Sequence, residues 1–262
     1  MYGNLYGNLS GTRSAHACCA RAAHVSCVDL PRIAARVLSS LCVLAPWTPA
    51  FGQSFPVPDG CTPKFTVQYQ GCLMMNLWTC TADAPDEKWT MLFNEGGPIR
   101  LRKVDGDFQW LETYHMDGSS EEIVKPSADP SNMSELLSTN RDTYDFEILE
   151  DGEVNRYLGF DALTGEEPVI DGERLLRTEY AYEQFTADGT PLGGAKGNQF
   201  VHPEFRIFLF GQSTDLNGEN GWSTLPRQFY RPGDPGFFPN TPIFDCGVVT
   251  SHLQKETPHD HL

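Results

Sequence analysis

Two histidines are the residues best suited to acid–base or nucleophilic chemistry, and each has a plain structural alternative. His115 precedes Asp117 and Ser119, which supply the residue types of a hydrolase triad, and such triads are defined by geometry and not by chain order. His115 also ends an alternating run, where partly exposed structural histidines are common. His202, before Pro203, is likewise either a catalytic residue or an ordinary structural histidine. We keep both as catalytic candidates, with a structural role favoured for each.

The established catalytic motifs are missing from the sequence. It contains no G-x-S-x-G elbow, phosphate-binding loop, H-E-x-x-H or dinucleotide glycine pattern. Ser213 stands in Gly-Gln-Ser-Thr-Asp and lacks the second glycine of a nucleophile elbow. Adjacent carboxylates on a strand point to opposite faces, so Glu121 and Glu122 form no acid–base couple by themselves. These observations favour a non-enzymatic protein, and an envelope hydrolase with a site assembled from several strands stays as the alternative.

Oxygen ligands at alternate positions suggest a calcium loop at Asp215, Asn217 and Glu219. The stretch lacks the glycine at the sixth position and the later bidentate glutamate, so a polar turn is the simpler interpretation. The histidines of the C-terminal tail, at 252, 259 and 261, also suit a transition metal, although a flexible tail over 251–262 is the favoured interpretation. We therefore expect no metal and no cofactor.

The N-terminal segment has the pattern of an export signal. Arg32 and Arg36 precede an apolar run that is too short to span a bilayer, and small residues follow it. We predict a signal peptide over 30–52, cleaved after Gly52, with a membrane anchor or a buried helix as the alternative. Residues 1–29 are then interpreted as an extension that results from a wrongly assigned translation start. The alternative is a metal or redox segment that uses its cysteines and histidines. The mature protein is expected to be periplasmic or extracellular, without a transmembrane segment.

The chain is strongly acidic, with 19 basic and 35 acidic residues and a formal charge of −16. Residues 1–52 hold four of the basic and one of the acidic residues, so 15 and 34 remain, a net charge of −19. Such a chain is repelled by nucleic acids and by anionic membranes. The densest basic cluster, Arg100, Arg102 and Lys103, is interpreted as the solvent-exposed face of one strand. No nucleic-acid partner is expected.

Four cysteines follow the predicted cleavage site, and an even number in an exported chain suggests two disulfides. Three connectivities are possible. We favour Cys72 with Cys80, as a local loop, and Cys61 with Cys246, which would join the two ends of the mature chain. Metal binding by these thiols is disfavoured, because no C-x-x-C occurs.

Alternating runs and Asp-Gly turns predict an all-β fold, a single antiparallel meander over 53–250. The meander is expected either to close as a lipocalin-like barrel or to pack as a sandwich. One short helix is predicted near 132–138, capped by Ser131. The Gly- and Pro-rich segment over 217–242 is expected to wrap around the sheet through its aromatic residues. The strands are placed over 64–70, 73–79, 89–93, 99–102, 108–115, 144–148, 154–163, 174–185 and 198–212.

An apolar ligand or an envelope partner is the functional expectation. The run over 205–210 is apolar on both faces, whereas a half-buried strand needs only one apolar face. Either the second face is covered by other parts of the chain, or it lines a cavity for a lipophilic molecule. The candidate ligand-binding residues are Tyr180, Tyr182, Phe205 and Ile207.

Several segments of the mature chain also carry a resemblance. They are CTPKFTVQYQGCLMMNLWTCTAD at 61–83, FQWLETY, LTGEEPVIDGERLLRTEYAY, HPEFRIFLFG and the ending PGDPGFF…CG. The chain resembles a set of exported, β-rich proteins of alphaproteobacteria that have no assigned activity. The resemblance implies export and a β-rich fold, and it implies no residue roles.

Overall fold

The computed structural model describes residues 54–247, and this part of the chain is almost entirely β-structure, as predicted. Tight turns separate the strands. At one of them Asp151 and Gly152 both have positive φ, at 49° and 92°, the backbone that a two-residue hairpin turn requires. In chain order the elements are β1 (Cys61–Tyr69), β2 (Leu73–Cys80), β3 (Lys88–Asn94), β4 (Gly97–Val104), β5 (Trp110–His115), β6 (Ser120–Ile123), α1 (Met133–Thr139), β7 (Arg141–Glu150), β8 (Glu153–Leu163), β9 (Val169–Ile170), β10 (Glu173–Arg174), β11 (Leu176–Thr186), β12 (Pro191–His202), β13 (Ile207–Asp215), β14 (Trp222–Ser223) and β15 (Pro226–Tyr230).

Thirteen of these strands form one antiparallel sheet, and most neighbours in the sheet are also neighbours in the chain. The order is β14-β13-β12-β11-β8-β7-β6-β5-β4-β3-β2-β1-β15. The short β9–β10 hairpin forms a ladder of its own between β8 and β11. The predicted meander is therefore confirmed. The sheet is open, because its two edge strands, β14 and β15, do not pair with each other.

The two edges of the sheet are nevertheless formed by one short stretch of chain, residues 222–230. Its first part bonds to β13, where the Thr224 N–H donates to the Gly211 carbonyl at 2.8 Å. Its second part bonds to β1, and the Gln70 N–H donates to the Leu225 carbonyl at 3.0 Å. The first and last long strands of the sheet thus share one connecting segment.

The hydrophobic core between these strands lies on the concave side of the sheet. Phe65 and Tyr69 of β1 belong to one cluster with Ile207 and Leu209 of β13, and all four are essentially inaccessible to solvent. Strands at opposite ends of the ladder can share a cluster only if the sheet curls. Each fully buried side chain of this size contributes about 1.5–3 kcal/mol through burial.

The convex face of β2 and β3 is also covered. Trp78 and Phe93 pack there with Phe238, which is 3% exposed, and the Phe55 ring lies 5.3 Å from the Phe93 ring. The Phe55 N–H also donates to the Phe238 carbonyl at 2.9 Å. The prediction that the aromatic C-terminal segment wraps around the sheet is therefore confirmed.

The predicted short helix is confirmed as α1. Its N-cap is Asn132, whose side chain accepts from the Glu135 N–H at 2.9 Å, and not Ser131 as the sequence suggested. A one-residue shift of the cap is possible because both residue types accept such bonds. Met133 and Leu136 face the sheet and are buried.

The predicted disulfide pairing is wrong, and the bonds are Cys61–Cys80 and Cys72–Cys246. Cys61 and Cys80 are direct cross-strand partners in the β1–β2 ladder. Cys72 lies in the turn before β2 and Cys80 at its far end, so a strand of eight residues separates them by roughly 26 Å. A disulfide spans only about 4–7 Å between Cα atoms, which excludes Cys72–Cys80.

Two disulfides indicate an oxidising, non-cytoplasmic environment. Within 54–247 no helix is long and apolar enough to cross a membrane. The expected extension over 1–29, the signal peptide over 30–52 and the tail over 251–262 lie outside the described residues.

Candidate functional site

The two candidate catalytic histidines are held by glutamates. His115 Nε2 lies 2.8 Å from Glu121 Oε1, and His202 Nε2 lies 3.3 Å from Glu173 Oε2. His202 is buried, and this desolvation lowers its pKa, while Glu173 opposes the effect. Among the hydrogen bonds of residues 54–247, neither histidine contacts a serine, threonine or cysteine side chain. The residues of a Ser-His-Asp constellation are therefore not brought together around them.

The suggested calcium loop is a hydrogen-bonded turn. Asp215 accepts from the Glu219 N–H at 2.9 Å and from the Asn220 side-chain amide at 2.8 Å. These bonds occupy the carboxylate oxygens and lower the pKa of Asp215. No group of metal-ligating residues occurs in the described part of the chain.

A cavity of about 350 Å³ lies on the concave face of the sheet. Eleven strands of the large sheet contribute to its wall, and ten of its 23 lining residues are aromatic. Its volume lies at the small end of the range for small-molecule sites, about 300–1,000 Å³. Trp222 lines the cavity and is 53% exposed, so this residue marks its opening to solvent. The aromatic residues are Phe108, Trp110, Tyr144, Phe146, Tyr157, Tyr180, Tyr182, Phe208, Phe210 and Trp222.

The sequence-based ligand candidates divide into two pairs. Tyr180 and Tyr182 line the cavity. Phe205 and Ile207 do not, because Phe205 stacks on Phe65 with ring centroids 4.3 Å apart and Ile207 is fully buried in the core. The run over 205–210 is also not one strand, since β13 begins only at Ile207.

A polar row crosses five strands of the cavity wall. The ladder places Asp142, Asp161, Tyr180, Gly197 and Ser213 side by side on β7, β8, β11, β12 and β13. Because Gly197 has no side chain, the Tyr180 hydroxyl reaches across it and forms a hydrogen bond with Ser213 Oγ. The row thus brings a carboxylate and two hydroxyl groups to one side of the cavity.

Beside the polar row lies a second row of cross-strand neighbours, in which two tyrosines flank a glycine. Tyr144, Gly159 and Tyr182 are cross-strand neighbours on β7, β8 and β11. A Cβ atom at position 159 would lie 2.8 Å from the Tyr144 ring and its hydroxyl, closer than real contacts allow. Gly159 therefore makes room for the Tyr144 side chain.

The aromatic side chains form a connected wall. The Phe146 and Tyr157 rings stack at 5.5 Å, and Tyr157 lies 5.9 Å from Tyr182. Trp110 meets Tyr157 edge-on at 6.3 Å. Such offset and edge-to-face arrangements are the favourable ones for aromatic pairs.

Two arginines on β4 face the cavity, so the prediction that they form an exposed strand face is wrong. Arg102 is 7% exposed, and its guanidinium lies 3.8 Å from the centroid of the Trp110 ring. It donates to Glu121 at 3.1 Å and to Thr113 at 2.9 Å. Arg102 is thus paired with a carboxylate, while burial and the nearby charge of Arg100 lower its pKa to about 9.

Arg100 has no such partners. It stands between Leu92 and His115 in the ladder and lines the cavity, with its guanidinium 6.0 Å from the Phe210 ring centroid. No hydrogen bond or ion pair within 54–247 involves its side chain. Desolvation lowers its pKa, and the negative charge of Glu121, already shared by Arg102 and His115, only partly opposes this.

Three tyrosine hydroxyls on the same wall also lack protein partners. Tyr144, Tyr157 and Tyr182 line the cavity, and none of their hydroxyls takes part in a hydrogen bond in the described part of the chain. Burial raises the pKa of all three, so they are neutral donors over the physiological range. The cavity therefore presents donors that a bound molecule can use.

Asp161 is the acidic group of the cavity. It is 5% exposed and accepts from the Gln199 amide at 3.0 Å. Burial raises its pKa to about 7, and the neighbouring Asp142 carboxylate adds to the shift. At neutral pH this carboxyl group is therefore partly protonated, which lowers the negative charge inside the cavity.

Comparison with protein-family models, with curated proteins and with solved structures found no match. Sequence reasoning found Tyr180 and Tyr182 but missed Arg100 and Asp161. The alternation of β4 shows that its arginines share one face, but it does not show which face is inside.

Proposed function

We propose that the protein binds a small, largely apolar molecule in the cavity and carries out no catalysis. The observation that carries the proposal is the cavity wall with its ten aromatic side chains, beside core clusters of buried apolar residues. Ligand sites in proteins are concave, mostly apolar and supplied with a few polar groups that fix orientation. The wall of this cavity has that composition.

The protein is further proposed to be exported to the periplasm or the extracellular space. The two disulfides support an oxidising compartment. The signal-peptide pattern over 30–52 and the resemblance to exported proteins of alphaproteobacteria support the same location. A carrier or sensor of small apolar molecules suits such a compartment, because these molecules have low solubility in water.

A fluorescent apolar probe tests the ligand proposal. N-phenyl-1-naphthylamine emits strongly in apolar surroundings and carries no charge. We expect the protein to bind it at one saturable site. Replacing Ile123, a buried residue of the cavity wall, by tryptophan adds bulk at the wall and should weaken binding by about tenfold.

Ile243→Trp is the matched control, because the same substitution is made at a residue that is 55% exposed. It should leave the affinity unchanged. Equal binding by both variants, or no saturable binding to the parent protein, would overturn the proposal. If Ile123→Trp does not fold, Tyr182→Trp adds a smaller bulk at another point of the wall and should weaken binding in the same direction. Native mass spectrometry of the purified protein then shows whether a small molecule copurifies.

A further inference from the structure

We infer that the ligand is a small aromatic or other rigid apolar molecule that bears one anionic group, and that Arg100 binds this group. The inference rests on the proposed function, since it concerns the same cavity. It adds the charge of the ligand, the residue that recognises it and the resulting discrimination between acids and their neutral analogues. Carboxylates and sulfonates are the groups whose geometry matches a guanidinium fork.

The first step is the contrast between the two cavity arginines. Glu121 balances the charge of Arg102, whose guanidinium donates hydrogen bonds to Glu121 and to Thr113. Arg100 faces the same space without a carboxylate, carbonyl or hydroxyl partner in the described part of the chain. A partly buried cation that no carboxylate contacts does not stabilise a fold. The place of Arg100 at a cavity wall therefore points to a role outside folding.

The second step is the charge inside the cavity. Three of the lining residues are ionisable acids or bases other than tyrosine, namely Arg100, Arg102 and Asp161. Glu121 balances Arg102, and Asp161 hydrogen-bonds to Gln199 on the polar row. Arg100 therefore contributes a positive charge that an anionic ligand would neutralise.

The third step is the shape of the remaining wall. The connected rings from Trp110 through Tyr157 to Tyr182 present faces and edges suited to a flat apolar body. The hydroxyls of Tyr144, Tyr157 and Tyr182 are additional donors, and donors also favour an anion over a cation. The cavity of about 350 Å³ limits the body to a small molecule.

The net charge of the chain makes the inference specific. A formal charge of −16 repels anions from the surface as a whole, so selective binding of an anion requires a local cation. An anion that binds more tightly than its neutral analogue must therefore meet a site such as Arg100.

Two probes with the same skeleton provide the experiment. 8-Anilinonaphthalene-1-sulfonate differs from N-phenyl-1-naphthylamine only by its sulfonate. We expect the sulfonate probe to bind about tenfold more tightly and to compete with the neutral probe for one site. Arg100→Met should weaken the sulfonate probe by about tenfold and leave the neutral probe unchanged.

Arg174→Met is the matched control, since it removes one positive charge from an exposed ion pair with Glu167. It should change neither affinity. A competition between 2-naphthoate and 2-naphthamide on the parent protein needs no variant, and the acid should displace the neutral probe at lower concentration. If the neutral probe does not bind, the proposed function fails. If it binds but the acid has no advantage, or Arg100→Met keeps that advantage, only this inference fails.

Discussion

Arg100 and Arg102 occupy successive inward positions on β4, yet within residues 54–247 only Arg102 has a carboxylate partner. Glu121 lies 3.1 Å from the Arg102 guanidinium and 2.8 Å from the His115 ring, so its negative charge is already engaged. The two arginines are matched in chemistry and in strand position. They differ in that the fold supplies a carboxylate partner to Arg102 and none to Arg100 within the described residues. The charge of Arg102 is therefore structural, and the charge of Arg100 is available to a ligand.

This difference predicts opposite effects on stability. Arg102→Met removes the cation that Glu121 is paired with, and removing one partner of a buried pair costs about 3 kcal/mol. Arg100→Met removes a cation without a partner and keeps the length of its aliphatic stem. Its free energy of unfolding should be unchanged or higher by up to ~1 kcal/mol. Urea denaturation of the two variants beside the parent protein measures both effects.

A loss of stability in Arg100→Met as large as that in Arg102→Met would show that Arg100 is part of the folding framework. Arg174→Met serves again as the reference for removal of an exposed, ion-paired charge, which typically costs less than about 1 kcal/mol.

Strand β4 also shows what the sequence could predict and what it could not. The alternation of Ile99 and Leu101 with Arg100 and Arg102 predicts a strand with two different faces, and the strand is confirmed. Its two apolar residues do not share a face, because Ile99 packs against the concave core cluster and Leu101 against the convex one. The sequence gives no reason to place arginines inside. They face inward because Leu101 packs on the convex side, which the segment around Phe238 covers. That cover comes from a distant part of the chain, and local alternation carries no information about it.

The sequence also could not predict the polar row, because that row depends on contacts between distant parts of the chain. Asp161, Tyr180 and Ser213 become neighbours only through the register of β8, β11, β12 and β13. The turns and strands could be predicted from short stretches of sequence, because Asp-Gly steps and alternation are local signals. Register across four strands depends on bulges, such as the one between Asn198 and Phe200, which the sequence does not mark.

The two disulfides are predicted to contribute unequally to stability. Cys72–Cys246 closes a loop of 174 residues, whereas Cys61–Cys80 closes one of 19. In the chain-entropy model the longer loop stabilises the folded state by about 5 kcal/mol and the shorter by about 3 kcal/mol. The Cys72→Ser/Cys246→Ser protein should therefore unfold at a lower urea concentration than the Cys61→Ser/Cys80→Ser protein.

The connectivity is checked first, by peptide mapping without reduction. A fragment joining the peptides of Cys72 and Cys246 is expected, and one joining Cys72 to Cys80 would contradict the fold of β2 as an extended strand. Equal stability of the two double variants would show that loop length does not govern their contribution.

Asp161 is predicted to make stability fall as the pH rises towards neutrality. Burial raises its pKa from 3.8 to about 7 in the folded protein. Below pH 3.8 the group is protonated in both the folded and the unfolded state, so its contribution to stability does not change with pH. Between these values the unfolded chain has lost the proton and the folded protein keeps it, so stability decreases with pH, by roughly 4 kcal/mol in total. Above pH 7 both states are ionised and the contribution is constant.

Asp161→Asn removes this dependence, because an amide does not titrate and its oxygen can still accept from Gln199. The stability of the variant relative to the parent should therefore rise between pH 4 and pH 7 and then level off. Other carboxylates, such as Glu121 and Glu173, also make stability depend on pH. Their contributions occur in both proteins and largely cancel when the stability of the parent is subtracted from that of the variant. Glu179→Gln, at an exposed position of β11, should show no such rise. A difference curve for Asp161→Asn that is flat with pH would mean that Asp161 is ionised in the folded protein at neutral pH, and a full negative charge would then line the same cavity as Arg100.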